Sequence, residues 1–286
     1  EISCSLVGSE MCIRDRSNVN IFDDEDEKKK SAKQQGATGT PQYNEVDFLF
    51  DKKVQCPVCD NEFKIKTVKT GKPHLIGSDP DLRPKYQGID SVKYDVIVCP
   101  HCGYGALSRF FSYMTTHQAK LIHDNISTNF KGLAPTGDTY TYDDAITRYK
   151  LALLNTVVKK AKVSERAYTC LKLAWLYRGK AENLKPDEPD YAKKKEECGK
   201  AEKEMLANAY EGFMMSVSKE NFPICGMDET TLDYLMANLA KQIGRIDEAS
   251  RIVSRILVSK TANPKIKDKA RDLKDYLLYT SPSARD

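Results

Sequence analysis

The sequence predicts an α+β protein in which a small β module is followed by an all-helical region. Three observations carry this. Around two matched Cys-x2-Cys pairs, apolar and polar residues alternate with a period of two. Beyond Phe111 the period changes to that of a helix, and near the C-terminal end one helical hairpin stands out, "LMANLAKQIGRIDEASRIVSRIL".

In the β module, "FKIKTV" (Phe63 to Val68) sets Phe63 and Ile65 on one face and Lys64 and Lys66 on the other, the pattern of a half-exposed strand. "KYDVIV" before Cys99 is expected to be its partner strand. Further on, Thr115 and Gln118 form a capping-box pattern, and Ala119, Ile122, Ile126 and Phe130 recur at helical spacing. A Gly/Pro turn then leads to two helices expected to pair as a hairpin. The first carries Ile146, Tyr149, Leu153 and Val157 on one face; the second carries Ala167, Cys170, Leu171, Ala174 and Trp175. Pro186 and Pro189 interrupt the pattern. A long helix follows, with Met205, Leu206, Ala209, Tyr210 and Phe213 inward and charged first turns. The hairpin that turns at Gly244-Arg245 comes next, and a last helix starts near Pro264. That hairpin resembles a tetratricopeptide (TPR) repeat; no 34-residue period links it to the earlier one, so the region reads as TPR-like rather than as a regular array.

The two ends look foreign to the fold. "MCIR" near the start and "LLYTS" (Leu277 to Ser281) can be encoded by opposite strands of one DNA string, which resembles a sequencing adapter translated once in each direction. The expected organisation is therefore an adapter-like tail at 1–16, a disordered polar leader at 17–45, the β module at 46–112, a helix and linker at 113–140, the helical region at 141–276 and a second adapter-like tail at 277–286. Cys4 and Cys12 leave the cysteine count with the first tail.

Of the nine cysteines, Cys56-x2-Cys59 and Cys99-x2-Cys102 can supply four thiolates to one tetrahedral ion. Each pair would form a tight knuckle, and Gly103 supplies the freedom that the sharp turn after Cys102 needs. Asp60 stands at the matching place after Cys59 and tolerates such dihedrals better than most residues. His101 lies inside the second knuckle, where side chains point outward. A disulfide framework lacks a secretory context, and a redox Cys-x-x-Cys needs only one pair. The expectation is a structural zinc, with iron the less favoured ion; four protein ligands close the site and leave no position for an activated water. The β module holds few large apolar residues, so the ion is expected to supply folding energy of order ~10 kcal/mol in place of a core. Zinc loss would then unfold this segment and spare the helices. Cys170, Cys198 and Cys225 have no partner at ligand spacing.

The segments "CPVCDNEF", "YDVIVCPHCGYGA" and "AYTCLKLAWLYR", in this order, resemble the bacterial domain of unknown function 2225 family. The resemblance implies an N-terminal zinc ribbon followed by TPR-like helices in a bacterial cytosolic protein, and it brings no established activity.

A net charge of +4 implies no polyanion partner by itself, and no apolar run approaches a membrane span. The chain reads as cytoplasmic, without membrane contact. No catalytic constellation can be named, so a non-enzymatic role is expected. The residues favour an interaction or adaptor module for a protein or peptide partner, with Lys64, Lys66, Lys69, Lys72, Arg83 and Lys85, on strand and on the polar loop "SDPDLRPKYQG", as the candidate surface. The alternative is nucleic-acid binding through the ribbon: residues 51–110 hold ten Lys/Arg against seven Asp/Glu, and Tyr104, Phe110 and Phe111 could stack on bases.

Overall fold

Each Cys-x2-Cys turn closes its own antiparallel hairpin. A computed structural model describes residues 43–280; the adapter-like segment 1–16, most of the 17–45 leader and the tail from 281 lie outside the described residues. The first hairpin pairs β1 (Leu49–Gln55) with β2 (Glu62–Val68), in a register that sets Val54 opposite Phe63. A second pairs β3 (Leu75–Ser78) with β4 (Pro84–Tyr86), and a third pairs β5 (Val96–Val98) with β6 (Gly105–Leu107). Phe63 is buried and Lys64 exposed, as alternation requires. The pairing of "FKIKTV" with "KYDVIV" is corrected: a Cys-x2-Cys turn is itself a short connection, so each strand finds its neighbour locally.

The helices follow: α1 (Ser108–Phe111), α2 (Thr116–Asn125), α3 (Tyr142–Val158), α4 (Val163–Glu182), α5 (Tyr191–Lys219), α6 (Glu229–Gln242), α7 (Ile246–Val258) and α8 (Pro264–Thr280). Reciprocal capping boxes start α2 (Thr115 with Gln118) and α3 (Thr141 with Asp144), satisfying amide groups that a helix end leaves open. From α3 onward each helix packs on the next in sequence. Helix α4 lies between α3 and α5 and is buried on most of its circumference, with Ala167, Cys170, Leu171, Ala174 and Trp175 all inside. Close approach needs small residues: a Cβ on Gly212 of α5 would stand 2.7 Å from the Ala167 Cβ.

On α3 the inward stripe differs from the expected one. Ile146 and Tyr149 are buried, but Leu153 is half-buried and Val157 exposed, and Ala145, Ala152 and Thr156 take the inner positions. The reason is a close contact with the third hairpin, since a Cβ on Gly105 of β6 would lie 3.5 Å from the Ala152 backbone. A small side chain at Ala152 suits this approach of helix and sheet. At the C-terminal end, α8 runs through Thr280 and buries Leu277, so the helix extends four residues past the boundary expected at 276.

The β module has one small cluster largely its own, Phe48, Leu49, Ile89 and Tyr94 with Tyr140, and shares the other with the helices. Phe63, Ile97, Tyr104, Ala106 and Phe111 share one buried cluster with Ile122 and Ile126, next to Leu151 and Val158 of α3. A second tie is the β3–β4 turn. Asp81 accepts hydrogen bonds from Trp175 Nε1 at 3.2 Å, Arg178 Nη2 at 2.7 Å and Gln242 Nε2 at 3.3 Å, which lie on α4 and α6. Arg178 also reaches Glu202 of α5 at 2.7 Å. β module and helices together form one compact unit.

Candidate metal centre

Both knuckles have the sequence Cys-Pro-x-Cys, and they fold the same way. In the first, the Asp60 amide donates to the Cys56 carbonyl at 3.0 Å and the Cys56 amide to the Asn61 carbonyl at 3.0 Å. In the second, the Gly103 amide donates to the Cys99 carbonyl at 3.1 Å and the Cys99 amide to the Tyr104 carbonyl at 2.8 Å. The residue after the second cysteine is left-handed in both, with φ +58° at Asp60 and +73° at Gly103. This turn aims both sulfurs of a pair to one side.

The structure brings the four sulfurs of Cys56, Cys59, Cys99 and Cys102 within 4.8 Å of one another. Across the knuckles, Cys56 Sγ lies 3.6 Å from Cys102 Sγ, and Cys59 Sγ lies 3.6 Å from Cys99 Sγ. Four sulfurs at ~2.3 Å from a tetrahedral ion would stand about 3.8 Å apart, so the cage already has the size of a metal site. No disulfide joins them. The Val58 amide points at Cys56 Sγ at 3.4 Å and the Asn61 side-chain amide at Cys59 Sγ at 3.3 Å, contacts that favour thiolates.

The electrostatics follow from crowding. Hydrogen bonds from Cys102 and then Cys56 push the Cys99 thiol down to about 2. Cys102 lowers Cys56 in turn, but Cys99 and burial outweigh that and carry it up to about 12. Cys102 is raised as well, by its hydrogen bonds to Cys56 and Cys99 and by burial. Cys56 and Cys102 thus hold protons that a bound cation would release. The donor set, four sulfurs and nothing else, suits zinc or iron and closes the coordination sphere.

A family model described as an uncharacterized protein conserved in bacteria (DUF2225) matches residues 49–277, which include all four cysteines, α1 to α7 and most of α8. The chain belongs to this family. One curated relative, an uncharacterized protein of Borreliella burgdorferi, is 23% identical over 168 residues, 51% of this chain and 57% of that protein. The chain thus spans little more than half the length of that relative. No solved structure matches.

Other residues of the family member were expected at a surface, and the structure redistributes them. Lys64 is exposed, and Lys66 stands 3.9 Å from Asp51. Lys69 and Lys72 both donate to the Asp47 carbonyl, at 2.9 and 2.7 Å, and tie the end of β2 to the segment before β1. Lys85 pairs with Asp79 at 2.6 Å. Arg83 is corrected: it is buried, between Glu182 at 3.0 Å and Asp90 at 3.3 Å, and joins the β3–β4 turn to α4. The loop "SDPDLRPKYQG" is polar because its carboxylates bond to helix side chains, not because it faces solvent. Tyr104 and Phe111 are also corrected as stacking platforms. Both are buried, their ring centroids 4.9 Å apart, behind the second knuckle. His101 is exposed, while Cys170 and Cys198 are buried thiols on the helices. Among the described residues no helix is long and apolar enough to cross a membrane.

One residue near the site carries no sequence signal. Asn155, buried in the last turns of α3, donates its side-chain amide to the Gly103 carbonyl at 3.1 Å. A lone Asn in a helical pattern has no motif to mark it.

Proposed function

We propose that this protein is a non-enzymatic bacterial module of the cytoplasm, in which a structural zinc ribbon and TPR-like helices are fused into one body that binds a protein partner. Zinc is preferred to iron because a closed tetrathiolate cage with a purely architectural task suits the redox-inert ion. When bound, the ion supplies folding energy and no open coordination position.

The observation that carries the partner reading is the set of apolar side chains left in solvent at one end of the helices. Helix α3 ends there and α4 begins; Ser164 of α4 bonds through its amide and hydroxyl to Glu220, just past the end of α5. At this end Leu154 and Val157 of α3 are 51% and 50% exposed, and Met214 and Met215 of α5 are 44% and 47% exposed. Leu154 and Val157 lie three apart and so share a helix face. Exposed methionines suit a surface that adapts to an apolar segment of a second protein. The second knuckle sits beside the same end, through Asn155 and Gly103.

Photo-crosslinking in living bacteria tests the reading. A crosslinker at Val157 or Met215 should trap one discrete protein adduct that Leu154→Glu abolishes, whereas a crosslinker at Lys203 on α5 should trap none. Equal, diffuse labelling from all three positions would refute it.

A further inference from the structure

The two knuckles have equivalent carbonyl groups, and those groups are satisfied in different ways. In the first, the carbonyl of Asp60 accepts from Gln55 Nε2 at 3.5 Å, a long contact from the residue just before Cys56. In the second, the carbonyl of Gly103 accepts at 3.1 Å from Asn155 Nδ2, a side chain from α3, 52 residues away. The first knuckle is closed by its own strand; the second is held by the helical region.

The Asn155 amide is fixed in orientation. Its nitrogen also donates to the Leu151 carbonyl at 2.8 Å, so both neighbours are acceptors and only the NH₂ group can face them. The side chain is fully buried. The other side of Gly103 is covered by Phe130, whose Cγ would lie 2.6 Å from a Cβ built there. Gly103 is the residue whose left-handed turn brings Cys99 and Cys102 to one side, so whatever holds its carbonyl holds both sulfurs.

We infer that Asn155 is a positioning residue for the metal centre, and that through it ion binding and the packing of α3 are linked. The inference rests on the metal reading given above. An outer partner that orients ligands commonly changes metal affinity by about 10–100-fold when it is removed. The linkage is reciprocal: if α3 favours the ion, the ion must favour the docked α3.

The test uses the full chain, stripped with a chelator and titrated with Co(II) and then with Zn(II) against a chromophoric chelator. Asn155→Leu keeps the volume and removes the donor; Asn155→Asp keeps the shape and sets a carboxylate against two carbonyls. Leu171→Ala, in the core of α4, serves as a destabilised control. The expected result is a zinc affinity lower by about tenfold or more in both Asn155 variants and unchanged in Leu171→Ala. Zinc should also slow amide exchange across α3 in the wild type and much less in Asn155→Leu. If one variant does not fold, the other carries the comparison. Equal affinities in wild type and Asn155 variants, or an equal loss in Leu171→Ala, would overturn the inference while leaving the metal reading intact. A wild-type chain that takes up neither ion would overturn both.

Discussion

Arg178 grips Asp81 with both terminal nitrogens, Nη1 at 3.1 Å from one carboxylate oxygen and Nη2 at 2.7 Å from the other, and Asp81 is 0% exposed. This pair fastens the β3–β4 turn between α4, α5 and α6. Removing one partner strands the other in a place that water does not reach. Arg178→Met should therefore cost about 3–5 kcal/mol of unfolding free energy in urea titration. Asp81→Asn keeps acceptors for Trp175 and should cost less, since Arg178 retains Asp79 and Glu202. A loss below about 1 kcal/mol in Arg178→Met would show that the turn is not an anchor.

The same cluster predicts a pH dependence. Burial alone would raise the Asp79 carboxyl, but Lys85 and Arg178 outweigh it and hold its pKa below the ordinary value of 3.8. A depressed carboxyl stabilises the fold fully above its unfolded pKa, and that stability is lost as pH falls through the folded value. Measured between about pH 5 and pH 2, wild-type stability should fall more steeply than that of Asp79→Asn. Parallel curves would contradict the assignment.

The knuckles should respond in opposite ways to equivalent changes. Asp60→Gly relieves a non-glycine left-handed residue and should be neutral or stabilising by up to about 1 kcal/mol. Gly103→Ala meets both the left-handed strain and the Phe130 ring, and should cost well over the roughly 1–2 kcal/mol of the backbone strain alone. Thermal unfolding of the metal-loaded chain distinguishes them.

Because the β module shares a buried cluster with α2 and α3, loss of the ion should be felt beyond the hairpins. In Cys99→Ser, or after chelation, amide exchange should accelerate in β5 and β6 and also in α2 and α3, while α7 and α8 stay protected. Exchange confined to the hairpins would restore the sequence-based expectation of an independent ribbon.

What the residues disclosed before the structure, and what they did not, divides by range. Matched Cys-Pro-x-Cys turns and the Thr115–Gln118 box are local chemistry, and each is found where its spacing places it. The burial of Ala152 while Leu153 stays half-buried and Val157 exposed goes with the approach of β6 to α3, a distance no periodicity records. Asp81 and Arg83 read as loop residues because their partners Arg178 and Glu182 lie nearly a hundred positions away. Strand pairing differs for a related reason: each cysteine knuckle is also a hairpin connection, so its flanking strands pair with each other and not across the module. The cage was legible, and the helix residue that braces it was not.

The central claim is that one ion joins the two knuckles. X-ray absorption at the zinc edge on the purified full chain, together with elemental analysis, tests it most directly. About one zinc per chain is expected, with a first shell of four sulfurs at ~2.3 Å, reduced in Cys59→Ser. A chain free of zinc and iron, or a bound zinc whose first shell is nitrogen and oxygen, would contradict it.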